Sequence, residues 1–397
     1  MHIVSKFGGT SLRNGARIEQ AADAIADAVD SGHDVTVVAS AMGDTTDNLI
    51  DNITFEAQDH EKDEIISMGE RTSIRMLKAA LSSRGVDAAF IEPGDEAWPV
   101  HVTEDGDIDE ERTREASQSL ASRREERVII VAGFLAETPD GQITTLERGG
   151  SDTSATLLGN TMDADRVVIV TDVEGVLTGS PEIVEQPHNV GEITVEELRE
   201  LSFRGAEVVA PQALNYKSAD MDVHVVHYQE QNLLESGTSI EGEFERIIDA
   251  RDRPLACLTV AGREMRNESG VLASLSSLLA VNNINIEAVG SGMDSVAFYV
   301  DQERADRAKQ LLHSKVVDED HLASITLQKD IAAIRVVGGK LPDRPGMLSR
   351  LLQPISEQHI NIQEVVTSAT SITVFVDWDS RDQTLRTVQD VFGDSDG

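Results

Sequence analysis

Up to residue 226 the chain alternates short β-branched runs with helix-length amphipathic stretches. That alternation restricts its fold more than any other feature. His2–Ser5 is a short apolar strand. Ile18, Ala22, Ile25 and Val29 recur at steps of 4, 3 and 4, one face of a helix. Next come VTVVA at 35–39, a helix holding Ile74, Leu77 and Leu81, VIIVA at 128–132, a helix near 153–162, VVIV at 167–170 and VHVV at 223–226. Such runs separated by helices predict an α/β fold, a mostly parallel sheet between two helical layers. The very acidic segment 101–127 reads as a surface excursion.

From 229 to 254 the pattern gives way to polar, charged sequence, where we expect a domain boundary. Beyond it the chain repeats itself. Residues 265–301 and 341–377 align without a gap at an offset of 76. Gly270 matches Gly346, Leu272 matches Leu348, Leu275 matches Leu351, and Ile284-Asn285-Ile286 matches Ile360-Asn361-Ile362. Each copy reads strand, glycine turn, helix, strand, strand, the start of a ferredoxin-like βαββαβ module. A period this long means duplicated small domains rather than a solenoid. The expected division is 1–242, 255–328 and 331–392.

Charge narrows the function classes. There are 71 acidic residues against 34 basic ones, eight of them lysine, for a net charge of −37. Such a surface repels phosphate backbones and anionic lipids, so neither nucleic-acid nor membrane binding is expected. The acid is spread along the chain, as in salt-adapted (halophilic) proteins, which hydrated carboxylates keep soluble in brine. No apolar run reaches the roughly 20 residues of a membrane span. The start, MHIVSKFGGTS, lacks a basic stretch followed by an apolar one, and Cys257 is the lone cysteine. A cytoplasmic protein without a disulfide framework is expected. Hydrophobic residues at 40% suffice for ordinary cores.

Two glycine pairs carry the chemistry. Lys6-Phe7-Gly8-Gly9-Thr10-Ser11 follows the first strand and precedes a helix. Glycines there let backbone N–H groups approach an anion, and a neighbouring lysine is a counter-charge for a transferring phosphoryl group. The Walker pattern G-x-x-x-x-G-K-[ST] is absent. The second pair, Gly149-Gly150, follows Arg148 and precedes a helix with Ser151 or Asp152 as N-cap. Arg148 offers a fork for a carboxylate or phosphate. Asp152 could orient a substrate amine, a metal or a lysine. Read singly, each has a plainer meaning: a tight turn, a capped helix, a surface arginine.

Six motifs in order extend this reading: KFGGTS, SAMGDTTD (40–47), SMGER (67–71), VAGF (131–134), TTLERGGSDTSA (144–155) and TDVEGVLT (171–178). Together they resemble the aspartate kinases of the amino-acid kinase family, and the two repeats resemble the paired ACT domains that follow the kinase domain there. The resemblance implies phosphoryl transfer from ATP, with Mg²⁺ bridging its oxygens, to the side-chain carboxylate of aspartate, opening the route to lysine, threonine and methionine. It implies that Lys6 neutralises the phosphates beside Gly8 and Gly9, and that Asp152 orients the reacting groups. Arg148 would clamp the substrate α-carboxylate and Glu70 its ammonium, with Ser40, Thr46 and Ser151 lining the pocket. Thr171, Asp172 and Leu177 would border the nucleotide. No protein side chain is assigned to a metal. Without the motif, Glu70 would read as an exposed helical glutamate, Ser40 and Thr46 as turn residues and Asp172 as a cap.

The chain also departs from the family pattern. Leu177 stands where an aromatic is usual, and Ser180-Pro181-Glu182 where Asp-Pro-Arg is usual. Glu207 replaces a lysine, for which Arg204 or another cation would compensate, and Glu147 replaces a glycine. In the repeats, Gly292-Met293 and Ser368-Ala369 stand where inhibited relatives commonly carry Ser-Glu, while Met265, Gly270, Leu272 and Glu287 match effector-lining positions. An amino-acid effector, or a purely dimerising role for the repeats, both stay open. ACT modules pair between chains, so a homodimer or larger oligomer is expected. The rival readings are a non-catalytic amino-acid sensor on this scaffold and a kinase for another acidic amino acid.

Overall fold

The computed structural model describes residues 1–121, 128–180, 183–203, 208–230, 232–234, 237–244, 247–263, 265, 268–338, 346–368 and 370–392. The chain divides into two compact units, Met1–Phe244 and Glu245–Gly397.

The first unit opens with β1 (His2–Phe7), α1 (Gly15–Asp30), β2 (Asp34–Ala39), α2 (Thr45–Asn52), α3 (Asp59–Ser83), β3 (Ala88–Ile91) and α4 (Glu110–Ala121). It continues with β4 (Val128–Ala132), β5 (Leu135–Glu137), β6 (Ile143–Thr145), α5 (Gly150–Thr161), β7 (Arg166–Thr171), β8 (Glu192–Thr194), α6 (Val195–Phe203), β9 (Asp222–His227) and β10 (Thr238–Glu241). Eight strands form one sheet in the order β3-β4-β2-β1-β7-β9-β10-β8. Among the described residues of this sheet, only β9 and β10 pair antiparallel. The central strands are buried on both sides: Val128–Ala132 and Val167–Val170 have no exposed residue. Helices α1 and α3 pack together on one side of the sheet, and α5 with α4 on the other, the expected three layers. On α1, Ile18, Ala22 and Ile25 are buried, as their spacing predicts.

Two expectations are corrected here. The acidic segment beginning at 101 is more than an excursion. His101 and Val102 are buried, and α4 buries Thr113, Ser117 and Leu120. Its inward face is built largely of small hydroxyl residues, which carry no hydrophobic period. The polar stretch 229–254 also holds structure: β10 joins the first sheet, and β11 (Ile247–Ala250) joins the second. Both strands are only four residues long; β10 holds a single apolar residue, and β11 opens with two adjacent isoleucines, so neither shows a period-2 alternation.

The second unit continues with β12 (Leu255–Ala261), α7 (Val271–Val281), β13 (Ala288–Ser291), β14 (Ser295–Asp301), α8 (Ala305–Asp318) and β15 (Ser324–Val337). It ends with α9 (Met347–Glu357), β16 (Ile362–Thr367), β17 (Ser371–Asp377) and α10 (Arg381–Phe392). The two repeats share one strand. β15 pairs with β12 through its first half and with β17 through its second, with Asp330 at φ 60° between them. β11 pairs with β15 beside Ile334 and Val337, so a strand that precedes both repeats completes the second. Each repeat buries its own core, one around Leu258, Leu275 and Phe298 and the other around Ile334, Leu351 and Val374. A third cluster, with Tyr299 stacked on Phe375 at 4.1 Å, joins the two. Among the described residues no helix is long and apolar enough to cross a membrane.

Candidate active site

The site gathers where β1, β2, β4 and β7 end. Lys6 is the penultimate residue of β1, held between Val38 and Ile169 of the neighbouring strands. Its Nζ lies 2.6 Å from Asp152 Oδ1, with both side chains about nine-tenths buried. Asp152 Oδ2 accepts a hydrogen bond from the Ala210 amide at 3.1 Å. The pair therefore fixes the lysine head near the glycine turn: a Cβ on Gly8 would sit 3.2 Å from Nζ.

The turn itself is tied down on both sides. The Gly8 amide donates to the Val170 carbonyl at 3.3 Å, and the Ser40 amide to that of Phe7 at 3.1 Å. The Gly43 amide donates to the Gly9 carbonyl at 2.9 Å, and a Cβ on Gly9 would meet the Gly43 and Ala41 carbonyl oxygens at 3.0 and 3.1 Å. Only glycine lets these loops close so tightly. After Gly9 the chain makes a single 3-10 turn, Thr10–Leu12, and α1 begins only at Gly15, capped by the Asn14 side chain. The glycine turn thus precedes a helix, as expected, with one 3-10 turn between them.

Glu70 is 2% exposed, which overturns its plain reading as a surface glutamate. Its Oε1 accepts from the Ala41 amide at 3.2 Å, and its Oε2 is buried with no partner. Burial pushes its pKa up to about 7, against the opposing pull of backbone hydrogen bonds. Gly69 lets α3 come this close, since a Cβ there would be 2.8 Å from that of Ala41 and 3.5 Å from Thr46 Oγ1. Ser40, Thr46 and Glu70 therefore share one loop–helix junction, which the Ser40–Phe7 hydrogen bond links to Lys6.

Arg148 is exposed and makes no ion pair among the described residues. The expected cap at Ser151 or Asp152 is corrected: Gly149, at φ 82°, is the N-cap, and both side chains lie inside the first turn of α5. A tertiary contact decides this, because a Cβ on Gly149 would come 2.4 Å from that of Ala210. Ser151 is buried, with its Oγ only 2.8 Å from where a Cβ on Gly133 would stand.

The positions expected to border a nucleotide are more exposed. Thr171 ends β7 and donates to Asp172 Oδ1 at 3.3 Å; Asp172 is exposed and Leu177 half-buried. Pro181-Glu182 and the segment with Arg204 and Glu207 lie outside the described residues, as does Ala369. Glu147 accepts from Gln212 Nε2 at 3.3 Å. Among the described residues, no group of three or more His, Cys, Asp or Glu could hold a metal ion.

Several contributors escape sequence reasoning. The Ala41 and Ala210 amides have no side-chain signal. Phe134, at φ 67°, donates its amide hydrogen to the Ser154 hydroxyl and accepts from the Leu146 amide at its carbonyl. Asp63 accepts from the hydroxyls of Thr144 and Thr145 at 3.2 and 2.9 Å.

In the second unit, Met265, Gly270 and Leu272 line an open cavity of about 1070 Å³ together with Gly292 and Met293. Glu287 is not among its walls. It pairs instead with Arg251 at 2.7 Å.

Residues 1–227 match the amino acid kinase family, and 258–316 and 326–390 each match an ACT domain. An aspartokinase of Geobacillus stearothermophilus is 31% identical over 415 residues, spanning 98% of this chain and 97% of its own. The crystal structure of aspartate kinase from Synechocystis superposes with a TM-score of 0.83 at 27% identity, over 99% of this chain and 69% of that one. E. coli aspartokinase III in complex with aspartate and ADP shares the fold, with a TM-score of 0.56 at 22% identity, over 99% and 100% of the two chains. With its kinase sheet, its two ACT repeats and this full-length match, the chain belongs to the aspartokinases of the amino-acid kinase family.

Proposed function

We propose that this chain phosphorylates the side-chain carboxylate of aspartate with ATP, and that the residues at the strand ends divide the work. The carboxylate attacks the γ-phosphorus, the bond from that phosphorus to the β,γ-bridging oxygen breaks, and ADP leaves. The nucleophile is already anionic, so no strong base is needed; the barrier lies in charge repulsion and positioning. Lys6, held by Asp152, supplies the cation beside the transferring group at the Gly8-Gly9 turn, where the Gly8 amide is given to Val170 and that of Gly9 is the one offered to the phosphates. Glu70 takes the substrate ammonium, Arg148 its α-carboxylate, and Ser40, Thr46 and Ser151 complete the pocket. Thr171, Asp172 and Leu177 border the nucleotide. Mg²⁺ would arrive as part of Mg-ATP, where it would neutralise phosphate charge.

The observation that carries the reading is Glu70: a buried carboxylate with one oxygen unpaired calls for an ammonium. The intact Lys6–Asp152 pair favours catalysis over sensing alone. The product is an acyl phosphate, the first step towards lysine, threonine and methionine. We further propose a cytoplasmic, salt-adapted homodimer or larger oligomer, joined through the ACT unit, with an amino-acid effector at its cavity.

The test is an assay of purified protein in molar KCl with Mg-ATP and aspartate, trapping the acyl phosphate with hydroxylamine. Hydroxamate is expected with aspartate and not with glutamate or N-acetylglutamate. No hydroxamate from folded protein would overturn the reading.

A further inference from the structure

We propose that Asp63 is a positioning residue for Arg148, setting the reach of the arginine that binds the substrate α-carboxylate; this rests on the aspartate kinase reading above. Asp63 and Glu70 are seven residues apart on α3, two turns, and so share one face of the helix. One helix thus carries the receptor for the substrate ammonium and, at its N-terminal end, a carboxylate turned to the strand that leads into Arg148. Both oxygens of Asp63 are used: Oδ2 accepts from Thr144 Oγ1 at 3.2 Å and Oδ1 from Thr145 Oγ1 at 2.9 Å. Hydrogen bonds to a charged acceptor are the strong kind.

Arg148 lies three residues beyond Thr145. In between, the Leu146 amide is held by the Phe134 carbonyl at 2.7 Å. Past the arginine, Gly149 is pressed against Ala210. The arginine side chain is exposed and has no ion pair among the described residues, so the backbone that bears it determines where the guanidinium can go. Asp63 is the side-chain anchor of that backbone on its strand side. Without it, the hydrogen bonds that remain on β6 among the described residues are those of its pairing with the three-residue β5. The distance between the ammonium and α-carboxylate receptors then loses its fixed value, and a small misplacement of a positioning group weakens binding severalfold.

The experiment is steady-state kinetics of the hydroxamate assay on the full chain. Asp63→Ala should raise the aspartate KM about tenfold, with kcat and the ATP KM within about twofold of the parent. Asp63→Asn, which can still bond both hydroxyls, should restore most of the affinity. Thr144→Val combined with Thr145→Val removes the same bonds from the other side and should reproduce the rise, a second route if Asp63→Ala does not fold. In an Arg148→Lys background, Asp63→Ala should add little, because the two act on one contact. An unchanged aspartate KM, an equal rise in the ATP KM, or effects that multiply with Arg148→Lys would overturn the proposal. A parent chain that makes no hydroxamate would instead overturn the kinase reading on which it stands.

Discussion

The substrate end of the site and its nucleotide end differ in how far their polar groups are already committed. At the substrate end, Lys6 and Asp152 are paired and about nine-tenths buried, and Glu70 is 2% exposed. At the nucleotide end, Asp172 is exposed, Leu177 is half-buried, and the Thr171 hydroxyl is given to neighbouring Asp172. A buried, fixed charge interacts strongly because little water screens it, whereas an exposed one contributes little. On the proposed reading, the contrast means that preorganisation is invested around the substrate ammonium and the transferring group, with Arg148 the exposed exception at that end. The nucleotide, larger and more highly charged, meets a more open rim.

The sharpest way to break this comparison is Lys6→Ala. Turnover should fall by about 10³-fold, the scale for losing one preorganised electrostatic partner. Asp152 would be left buried without its cation, so the melting temperature should drop as well. Near-normal kcat in a folded variant would move the charge stabilisation to the nucleotide end.

Glu70→Gln comes next, and its signature is pH dependence. The folded pKa of Glu70 is raised from 4.5 to about 7, so the folded state holds a proton that the unfolded state releases. The resulting stability is fully present below about pH 4.5 and is lost as pH rises through about 7, a swing of about 3 kcal/mol. Denaturant melts of parent and Glu70→Gln should therefore diverge over that window, with the variant gaining relative stability as pH rises. Aspartate binding runs the other way, because the ammonium needs the ionised carboxylate. The aspartate KM of the parent should fall between pH 6 and 8, while that of Glu70→Gln should be flat and about 10- to 100-fold higher. A flat parent profile would mean Glu70 is already ionised, and the substrate end wetter than its burial implies.

Gly149→Ala tests whether the two ends are braced by backbone alone. A side chain at φ 82°, only 2.4 Å from the Ala210 Cβ, should destabilise the unit by about 1–3 kcal/mol, read in chemical denaturation. The smallest effects belong to the nucleotide rim. Asp172→Asn and Leu177→Ala should each change the ATP KM about two- to fivefold and leave the aspartate KM alone. A hundredfold change at either would erase the contrast between the ends.

Much of the fold was legible. The β-branched runs became central strands because their periodicity is a local property, and the 76-residue offset marked two copies of one module. The strand sharing at β15 was not legible: each repeat read alone needs its own last strand. The structure instead runs the end of one into the start of the next and recruits β11 from upstream. The face of α4 was hidden for a chemical reason: Thr113 is buried with its hydroxyl accepting from the His101 amide, and Ser117 is buried through small size, neither through an apolar side chain. Of the candidate site, Lys6, Asp152, Ser40, Thr46 and Glu70 were found from motifs, and they converge. Met265, Gly270 and Leu272 line one cavity, while Glu287, found by the same reasoning, is drawn away by Arg251.

The sequence by itself determined the alternation of strand and helix, the duplicated C-terminal modules, the glycine turns and the acidic surface. Each arises from spacing or composition along the chain. The tertiary structure alone decided that Lys6 meets Asp152, that Glu70 is buried beside the Ala41 amide, and that Asp63 holds Thr144 and Thr145. Those pairings join residues remote in the chain. Their energetics depend on how much water the fold excludes around them, a quantity that no single stretch of sequence carries.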